Sequence, residues 1–490
     1  MSSMEKMRTE HDAIGPLEVP AESYYGIFTT RALANFKLTG QRAPRVYIRA
    51  LGLVKRACAE TNLGLGLLEA KSGDAVMRAA EEFSEGHLDE YFPLDIIQAG
   101  AGTPFNMNAN EVIANRANEM LGNPLGSYSP VHPNNHVNMS QSSNDVTPTS
   151  LRIAALFLVT PLLQAGEELA KSLKEFAYRY RSLIKVGRTH LEDAVPMTLG
   201  QEFHAYVTML EKSLRRVKIG AEELLEVGLG GTALGSGITT HPNFQKKVVA
   251  TLAKLTKLPL KPADDLFETT ASMTCFVALS SALRALAVDL VKIANDLKIL
   301  NMGPLTGIAE IILPEVEPGS SIMPGKVNPS VPEAVHMAGY DVMASDQAIT
   351  LAAQAGQLQL NVMTPLIIKH LLGSLSLLTN TCTMLRTDCI EGVVVDEERI
   401  KKLFDGSLVT ATALNPYLGY EVTAELVKEA LEKKVSIVET ISSHGLLDDD
   451  ELALLLSVER TTRPAQTDLT LRKKIQNSEA YQSFRQNLHK

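Results

Sequence analysis

The sequence predicts a mainly α protein organised around a central bundle of long helices, and three observations carry that expectation. Apolar residues at Phe276, Leu279, Leu283, Leu286, Leu290, Ile293, Leu297 and Leu300 alternate spacings of three and four, a heptad seam of more than three heptads. Similar long helical patterns run over Ser150–Ile184, Leu199–Val227 and Ala334–Ala355. Aromatic residues make up only 5% of the chain and tryptophan is absent, while Ala and Leu are abundant, which favours helices packed on helices.

At 490 residues the chain exceeds the size at which a single core keeps growing, and its texture divides it into three domains. Residues 1–148 are broken up by Gly, Pro and Asn, with helical stretches at Arg45–Leu67 and Gly73–Glu85. Two polar runs in this part, GAGTPFNMNANEV and HPNNHVNMSQSSNDVTPT, read as loops or helix starts rather than core. Residues 149–391 form the long-helix domain, with a kink expected at Pro161. The Phe276–Leu300 helix also carries Val277, Ala278, Val288, Val291 and Ile299 on its flanks, so burial on more than one side is expected. Partner subunits are expected to complete the bundle. Residues 392–490 read as a small domain of short amphipathic helices, ending in a polar, partly basic tail after Pro464 that is expected to be peripheral.

Composition narrows the function. Hydrophobic residues at 45% and charged residues at 21% describe a globular chain rather than a disordered one. A formal net charge of −9 argues against a nucleic-acid or membrane partner, but leaves room for an anionic substrate in a locally positive site. Cys58, Cys275, Cys382 and Cys389 form no CxxC pair and read as free thiols in a reducing compartment, with Cys382 and Cys389 one heptad apart on one buried helix face. The opening residues are polar and of mixed charge, without the features of a signal peptide. The longest uncharged run, Gln347–Ile368, contains Gln354, Gln357, Gln359, Asn361 and Pro365, which are costly in lipid, so a buried segment of a cytoplasmic protein is expected.

Two glycine motifs mislead. GLGGTA (Gly228–Ala233) fits a loose dinucleotide pattern but follows a helical ending instead of a strand, so a tight loop is expected there. Gly319–Lys326 mimics a phosphate-binding loop, yet it has five residues between its glycines and Val327 where a magnesium-binding hydroxyl belongs. The eleven histidines contain no HExxH motif, and no zinc site is expected.

The segment GSSIMPGKVNPS (Gly319–Ser330) carries unusual chemistry. Gly319 and Gly325 allow close approach to a ligand, and two hydroxyls, an ammonium and an amide follow within nine residues. The chain then enters a helix through Asn328-Pro329 and Pro332-Glu333, and a helix N-terminus beside Lys326 suits a carboxylate.

This segment resembles the signature of the aspartase/fumarase superfamily. The resemblance extends from about Arg8 to Pro464 through RTEHDAIG, VPAESYYG, GAGTPFNMNANEV, VNMSQSSND, VGRTHLEDAVPMTLGQE and AGQLQLNV, in family order. It implies a three-domain fold with a central helix bundle shared in a homotetramer, active sites built from three subunits, and no organic cofactor. The implied reaction removes a proton next to a carboxylate, giving an aci-carboxylate, and then expels an amine or hydroxyl to leave fumarate.

The same resemblance implies residue roles. Ser320 would be the base, its acidity raised by backbone N–H groups and nearby positive charge. Lys326 and Asn328 would hold the carboxylate on which charge develops. Thr103, Ser142 and Ser143 would bind substrate carboxylates, while Asn144, Thr189 and His190 would surround the leaving group. Glu333 would orient Lys326 or His190, and Arg188 reads as a supporting residue. Ser143 and Asn144 could equally cap the following helix. His190 taken alone could be a structural histidine, as His132, His136 and His241 are expected to be.

Within the family, GAGT, VPMTLGQEF, NPSVPE and AGQLQLNVMTP look like aspartase, whereas VHPNN, SQSSNDV and GGTALGSGITTHP lean toward fumarase. The segments nearest the substrate's far end favour elimination of ammonia from L-aspartate. Hydration of fumarate, action on another amino- or substituted succinate, and a non-catalytic structural role are the alternatives. Two departures from the family pattern bear on the choice. Leu305 stands where an arginine is usual, and Ile238-Thr239 replaces Leu-Asn, so the support around the substrate differs.

Overall fold

The computed structural model describes residues 6–488. The chain is mainly helical, and its named strands form four two-stranded pairs. It folds into two compact units, each drawn from three separate stretches. The first comprises the chain up to Glu167, Lys212–Leu290 and His336–Cys382, and the second comprises Glu168–Glu211, Val291–Val335 and the chain from Thr383 onward. Five long helices, Ser143–Arg179, Leu199–Glu222, Thr274–Leu300, Ser330–Gln354 and Thr364–Thr387, supply residues to both units.

The heptad seam of the Thr274–Leu300 helix is buried along its whole length, with no seam residue more than 4% exposed. Burial on further sides is not reached within one chain, where Val288 remains 50% exposed. In the first unit small residues let the helices close up. A Cβ on Gly220 would sit 3.1 Å from the Leu279 Cα, and one on Gly166 would sit 2.4 Å from the Leu214 side chain. Polar links fix the register: Ser280 Oγ and Arg284 Nη1 both donate to Asp346, each at 2.7 Å, and Ser213 Oγ donates to Asp289 at 2.6 Å. Two of these helices, Ser143–Arg179 and Thr274–Leu300, are long and apolar enough to cross a membrane by length and composition. Since 72% and 50% of their most apolar stretches are already buried inside the protein, their apolarity serves packing.

Several expectations need correction. GAGTPFNMNANEV does start a helix, Thr103–Met120, but it is core: Asn106, Asn108, Asn110, Asn115 and Asn118 on it are at most 2% exposed. Asn115 and Asn118 pair with backbone, Asn118 exchanging two hydrogen bonds with Val131 at 2.8 and 2.9 Å, while Asn106 pairs with the Lys55, Asn138 and Ser143 side chains. Buried amides satisfied in this way cost little, so polarity alone misjudges the segment. The next helix begins at Ser143 rather than Ser150 and continues through Pro148 and Pro161 as one element. Cys389 lies beyond the end of the Thr364–Thr387 helix that contains Cys382, although all four cysteines are free and buried.

The tail after Pro464 is not peripheral. It forms helices Leu469–Gln476 and Glu479–Asn487, and their Ile475 and Tyr481 enter the core made by Leu414, Leu418, Leu426, Ile441 and Leu452. Tyr481 anchors it by donating its hydroxyl to the Leu418 carbonyl at 2.8 Å.

Candidate functional site

In the first unit, four of the expected residues stand at two helix N-termini. Ala101 and Gly102 both adopt left-handed backbone (φ 57° and 64°) and turn the chain into the Thr103–Met120 helix. The turn is wedged tightly: a Cβ on Gly102 would lie 2.8 Å from the Thr147 side chain, and Ala101 N donates to Val362 O at 2.8 Å. Thr103 is therefore presented, half-buried, in the first turn of a helix, whose positive dipole end favours an anion.

The SSND segment forms the second N-terminus. Ser142 is the capping residue, rather than Ser143 or Asn144: its Oγ accepts from Asn144 N at 3.3 Å, and Asp145 Oδ1 accepts from Ser142 N at 2.9 Å. Ser143 Oγ accepts from Asn106 Nδ2 at 3.2 Å, and Asn144 Nδ2 donates to Ala233 O at 2.7 Å. The buried Asp145 carboxylate also takes the N–H groups of Gly230 and Thr232 at 3.0 and 2.9 Å. The GLGGTA loop thus folds tightly against the SSND turn. Burial pushes the Asp145 carboxyl up to about 6, against three backbone N–H groups and Lys55. Asp145 and Asn106 escaped the sequence reading.

In the second unit, Thr189 and His190 sit at the tip of the hairpin Ile184–Thr189/Glu192–Thr198. Its two-residue turn, His190-Leu191, has φ of 57° and 65°, the left-handed pair of a type I′ turn, unusual for a leucine. The tip is exposed, with Leu191 75% accessible. A bulge between Val186 and Arg188 sets the tip's direction, and Gly187 is required there because a Cβ would meet Val195 O at 2.6 Å. Below it, Lys185 pairs with Glu202 and Glu310, both at 2.6 Å, and Arg188 pairs with Glu310 at 2.7 Å. Arg188 accordingly supports the strand rather than facing outward. Burial raises the Glu202 carboxyl above the usual range, against the opposing pull of Lys185.

The Ser320 loop belongs to the same unit. Ser320 Oγ accepts from Ile322 N at 3.2 Å and Met323 N at 3.0 Å, and two such donors favour a negatively charged oxygen. Asn328 Nδ2 donates to Gly319 O at 2.6 Å and closes the loop across its neck. Gly319 has no room for a side chain, since a Cβ would lie 2.2 Å from Lys326 O. A cavity of about 480 Å³ is lined by Gly319, Ser320, Met323 and Lys326 together with Glu315 and Glu317. Lys326 makes no ion pair among the described residues, so its ammonium is available to an anion. Glu333 stands exposed in the first turn of Ser330–Gln354, without a hydrogen bond to Lys326 or His190.

The chain therefore gathers Ser320, Lys326 and Asn328 in one loop, Thr189 and His190 on one hairpin, and Thr103 with Ser142–Asn144 at two helix starts. Within the second unit, no hydrogen bond joins the Ser320 loop to the hairpin tip among the described residues. Leu305 is 89% exposed and Thr239 is exposed with φ of 71°, so neither departure is packed within one chain. His132 and His136 do stand at HxxxH spacing, but His136 Nδ1 accepts from His132 N at 2.9 Å, and no group of three or more metal-ligating side chains occurs among the described residues.

Comparison with known proteins completes the description. A family model described as lyase matches residues 15–344, and one described as fumarase C C-terminus matches residues 410–463. The chain is 47% identical to the aspartate ammonia-lyase of Pseudomonas aeruginosa over 468 residues, covering 95% of this chain and 98% of that protein. It is 45% identical to the mitochondrial fumarate hydratase of Danio rerio over 454 residues, covering 92% of this chain and 89% of that one. Its fold matches the cobalt-bound fumarate lyase:delta crystallin of Brucella melitensis with a TM-score of 0.90 at 42% identity, over 94% of this chain and all of the other.

Proposed function

The chain belongs to the lyase family, the aspartase/fumarase superfamily, and from that premise we propose that it catalyses the reversible elimination of ammonia from L-aspartate to give fumarate. Ser320 is the base. Its alkoxide takes the proton from the carbon next to the side-chain carboxylate, and the electron pair of the broken C–H bond moves onto that carboxylate. The resulting aci-carboxylate collapses, the C–N bond breaks, and ammonia leaves as the C=C bond of fumarate forms. The observation that carries the assignment is the pair of N–H groups on Ser320 Oγ beside an unpaired Lys326. Preorganised donors of this kind act most strongly where charge grows in the transition state.

Thr103, Ser142 and Ser143 hold the substrate carboxylates, Lys326 and Asn328 hold the one that becomes the aci-carboxylate, and Asn144, Thr189 and His190 surround the amine. Glu333 orients Lys326 or His190 from the neighbouring helix start. A homotetramer brings these segments together from different subunits. Exposed apolar side chains on the long helices support that assembly: Ile219, Val288, Met337, Tyr340 and Leu351 are each at least 50% accessible in one chain. The third division of the chain, 392–490, is a small module with its own core, a view supported by that core and by the separate match over 410–463. We place the enzyme in the cytoplasm.

Hydration of fumarate is the second reading, favoured by the identity to fumarate hydratases and by Ser143 in the SSND turn. Fumarate appearance, followed by its ultraviolet absorbance, separates the two. Release from aspartate but not from malate supports ammonia elimination, and the reverse result replaces it with hydration.

A further inference from the structure

Lys55 lies midway along the Arg45–Gly64 helix with its side chain wholly out of solvent. A buried ammonium without a carboxylate in hydrogen-bond contact is costly and needs its donors satisfied. Here they are: Nζ donates to Asn106 Oδ1 at 2.5 Å, Gln141 Oε1 at 2.8 Å and Asn138 Oδ1 at 3.2 Å. Three acceptors match the three N–H bonds of an ammonium, whereas a neutral amine has only two to offer.

The consequence reaches the candidate site through one residue. An ammonium can only donate, so it fixes the Asn106 amide with its oxygen toward Lys55 and its NH₂ group turned away. That group donates to Ser143 Oγ at 3.2 Å and to Asn138 Oδ1 at 3.1 Å. Ser143 Oγ thereby receives a hydrogen bond from behind, and its own O–H remains to donate outward. A hydroxyl that must bind a carboxylate has to be a donor. An amide turned the other way would compete with the substrate for that proton.

The titratable groups facing Lys55 are Cys58, one turn along the same helix, and Asp145 of the Ser143–Arg179 helix. Burial drives the Cys58 thiol up, so it stays neutral, while Asp145 is held by the N–H groups of Ser142, Gly230 and Thr232. Burial draws Lys55 itself down to about 7, against the opposing pull of the Asp145 carboxylate.

We propose that Lys55 is a positioning residue for substrate binding: through Asn106 it sets the hydrogen-bond polarity of Ser143, so that the serine donates to a substrate carboxylate. This rests on the assignment of Ser143 to carboxylate binding. The test uses the full-length assembled protein with Lys55→Met, Asn106→Leu, Ser143→Ala and the double variant Lys55→Met/Ser143→Ala. The readouts are kcat, KM, and inhibition by succinate, a four-carbon dicarboxylate that cannot react. Lys55→Met is expected to raise KM and the succinate inhibition constant about tenfold with kcat changed less than about threefold, as loss of one polar binding contact predicts. Asn106→Leu is expected to do the same, and the double variant to be no worse than the weaker-binding single. In the parent protein succinate inhibition should weaken as pH rises through the Lys55 titration, a limb that vanishes in Lys55→Met. If Ser143→Ala weakens succinate binding while Lys55→Met and Asn106→Leu leave it within about twofold, the Lys55 inference is wrong. If Ser143→Ala itself has no effect, the site assignment beneath it is wrong instead. Should Lys55→Met fail to fold, Asn106→Leu carries the same comparison.

Discussion

Arg188 Nη1 and Glu310 Oε1 lie 2.7 Å apart, and the other oxygen of the same carboxylate lies 2.6 Å from Lys185 Nζ. Glu310 is completely buried, so this single carboxylate ties together both basic residues of the strand that ends in Thr189 and His190. The tip beyond is exposed and held in left-handed backbone, which makes its position depend on the strand below it.

Glu310→Ala should therefore damage stability and catalysis together. Removing one partner of a buried ionic cluster leaves the others uncompensated, at a cost of about 3–5 kcal/mol. Lys185 keeps Glu202, so the loss should fall toward the lower end of that range. Urea unfolding measures the first effect. The second should appear as a lower kcat with a nearly unchanged KM, since the substrate carboxylates are assigned to other residues. A normal kcat in a destabilised variant would detach Glu310 from the His190 hairpin's role.

The Ser320 loop offers a contrast between chemistry and shape. Ser320→Ala removes the base and should lower kcat by roughly 10²–10⁴-fold, the usual worth of general base catalysis. Gly319→Ala keeps the base but forces a Cβ to within 2.2 Å of Lys326 O, so the neck of the loop must open. A shift of that size costs about 10²-fold in rate when it displaces a reacting group. Because the loop is largely exposed, thermal unfolding of both variants should stay within a few degrees of the parent. Fumarate absorbance gives the rates.

Much of this was legible in the sequence, and the failures share a cause. The Thr274–Leu300 seam could be read because every buried position is apolar and recurs at helical spacing. The Ser320 loop could be read because its glycines, hydroxyls and lysine have no use in a core. Asn106, Asn108 and Asn110 misled because a polar residue signals loop only when its hydrogen bonds go to water, and here they go to Lys55, Thr29, Tyr91 and Met107. Pro148 hid the true start of the Ser143–Arg179 helix because it stands inside the second turn, where proline normally breaks a helix. Lys55 was invisible altogether, since nothing local distinguishes a buried lysine from a solvated one.

Acid should weaken the first unit through Asp95. Burial works against its carboxylate, but the N–H groups of Leu38, Thr39, Gly40 and Ile97 and the Thr39 hydroxyl outweigh it and hold the pKa below the ordinary 3.8. The folded value is depressed, so the contribution is fully present above the unfolded value and disappears as pH falls through the folded one. Asp95→Asn should be destabilised at pH 7, and its deficit against the parent should shrink only below about pH 4. Melting temperatures measured across that range decide it, and a deficit that persists undiminished at the lowest pH would show that the lost carboxylate acts by shape rather than charge.

The C-terminal tail makes the last case, because its polar composition suggested that it could be dispensed with. Tyr481 is 4% exposed, packs into the core around Leu414 and Leu418, and gives its hydroxyl to Leu418 O. Tyr481→Ala should thus lose ring burial and leave a cavity, a cost of about 3–5 kcal/mol for a large aromatic. Tyr481→Phe keeps the ring and leaves one carbonyl unpaired, so its cost should be nearer 1 kcal/mol. The ordering separates packing from hydrogen bonding. Truncation after Pro464 removes Ile475 as well and should expose Leu414, Tyr417 and Leu418 together, producing a chain that aggregates on heating or is cut by protease within residues 392–464. Limited proteolysis of the truncated and full chains reads this directly, and identical cleavage patterns would return the tail to the peripheral status its composition suggested.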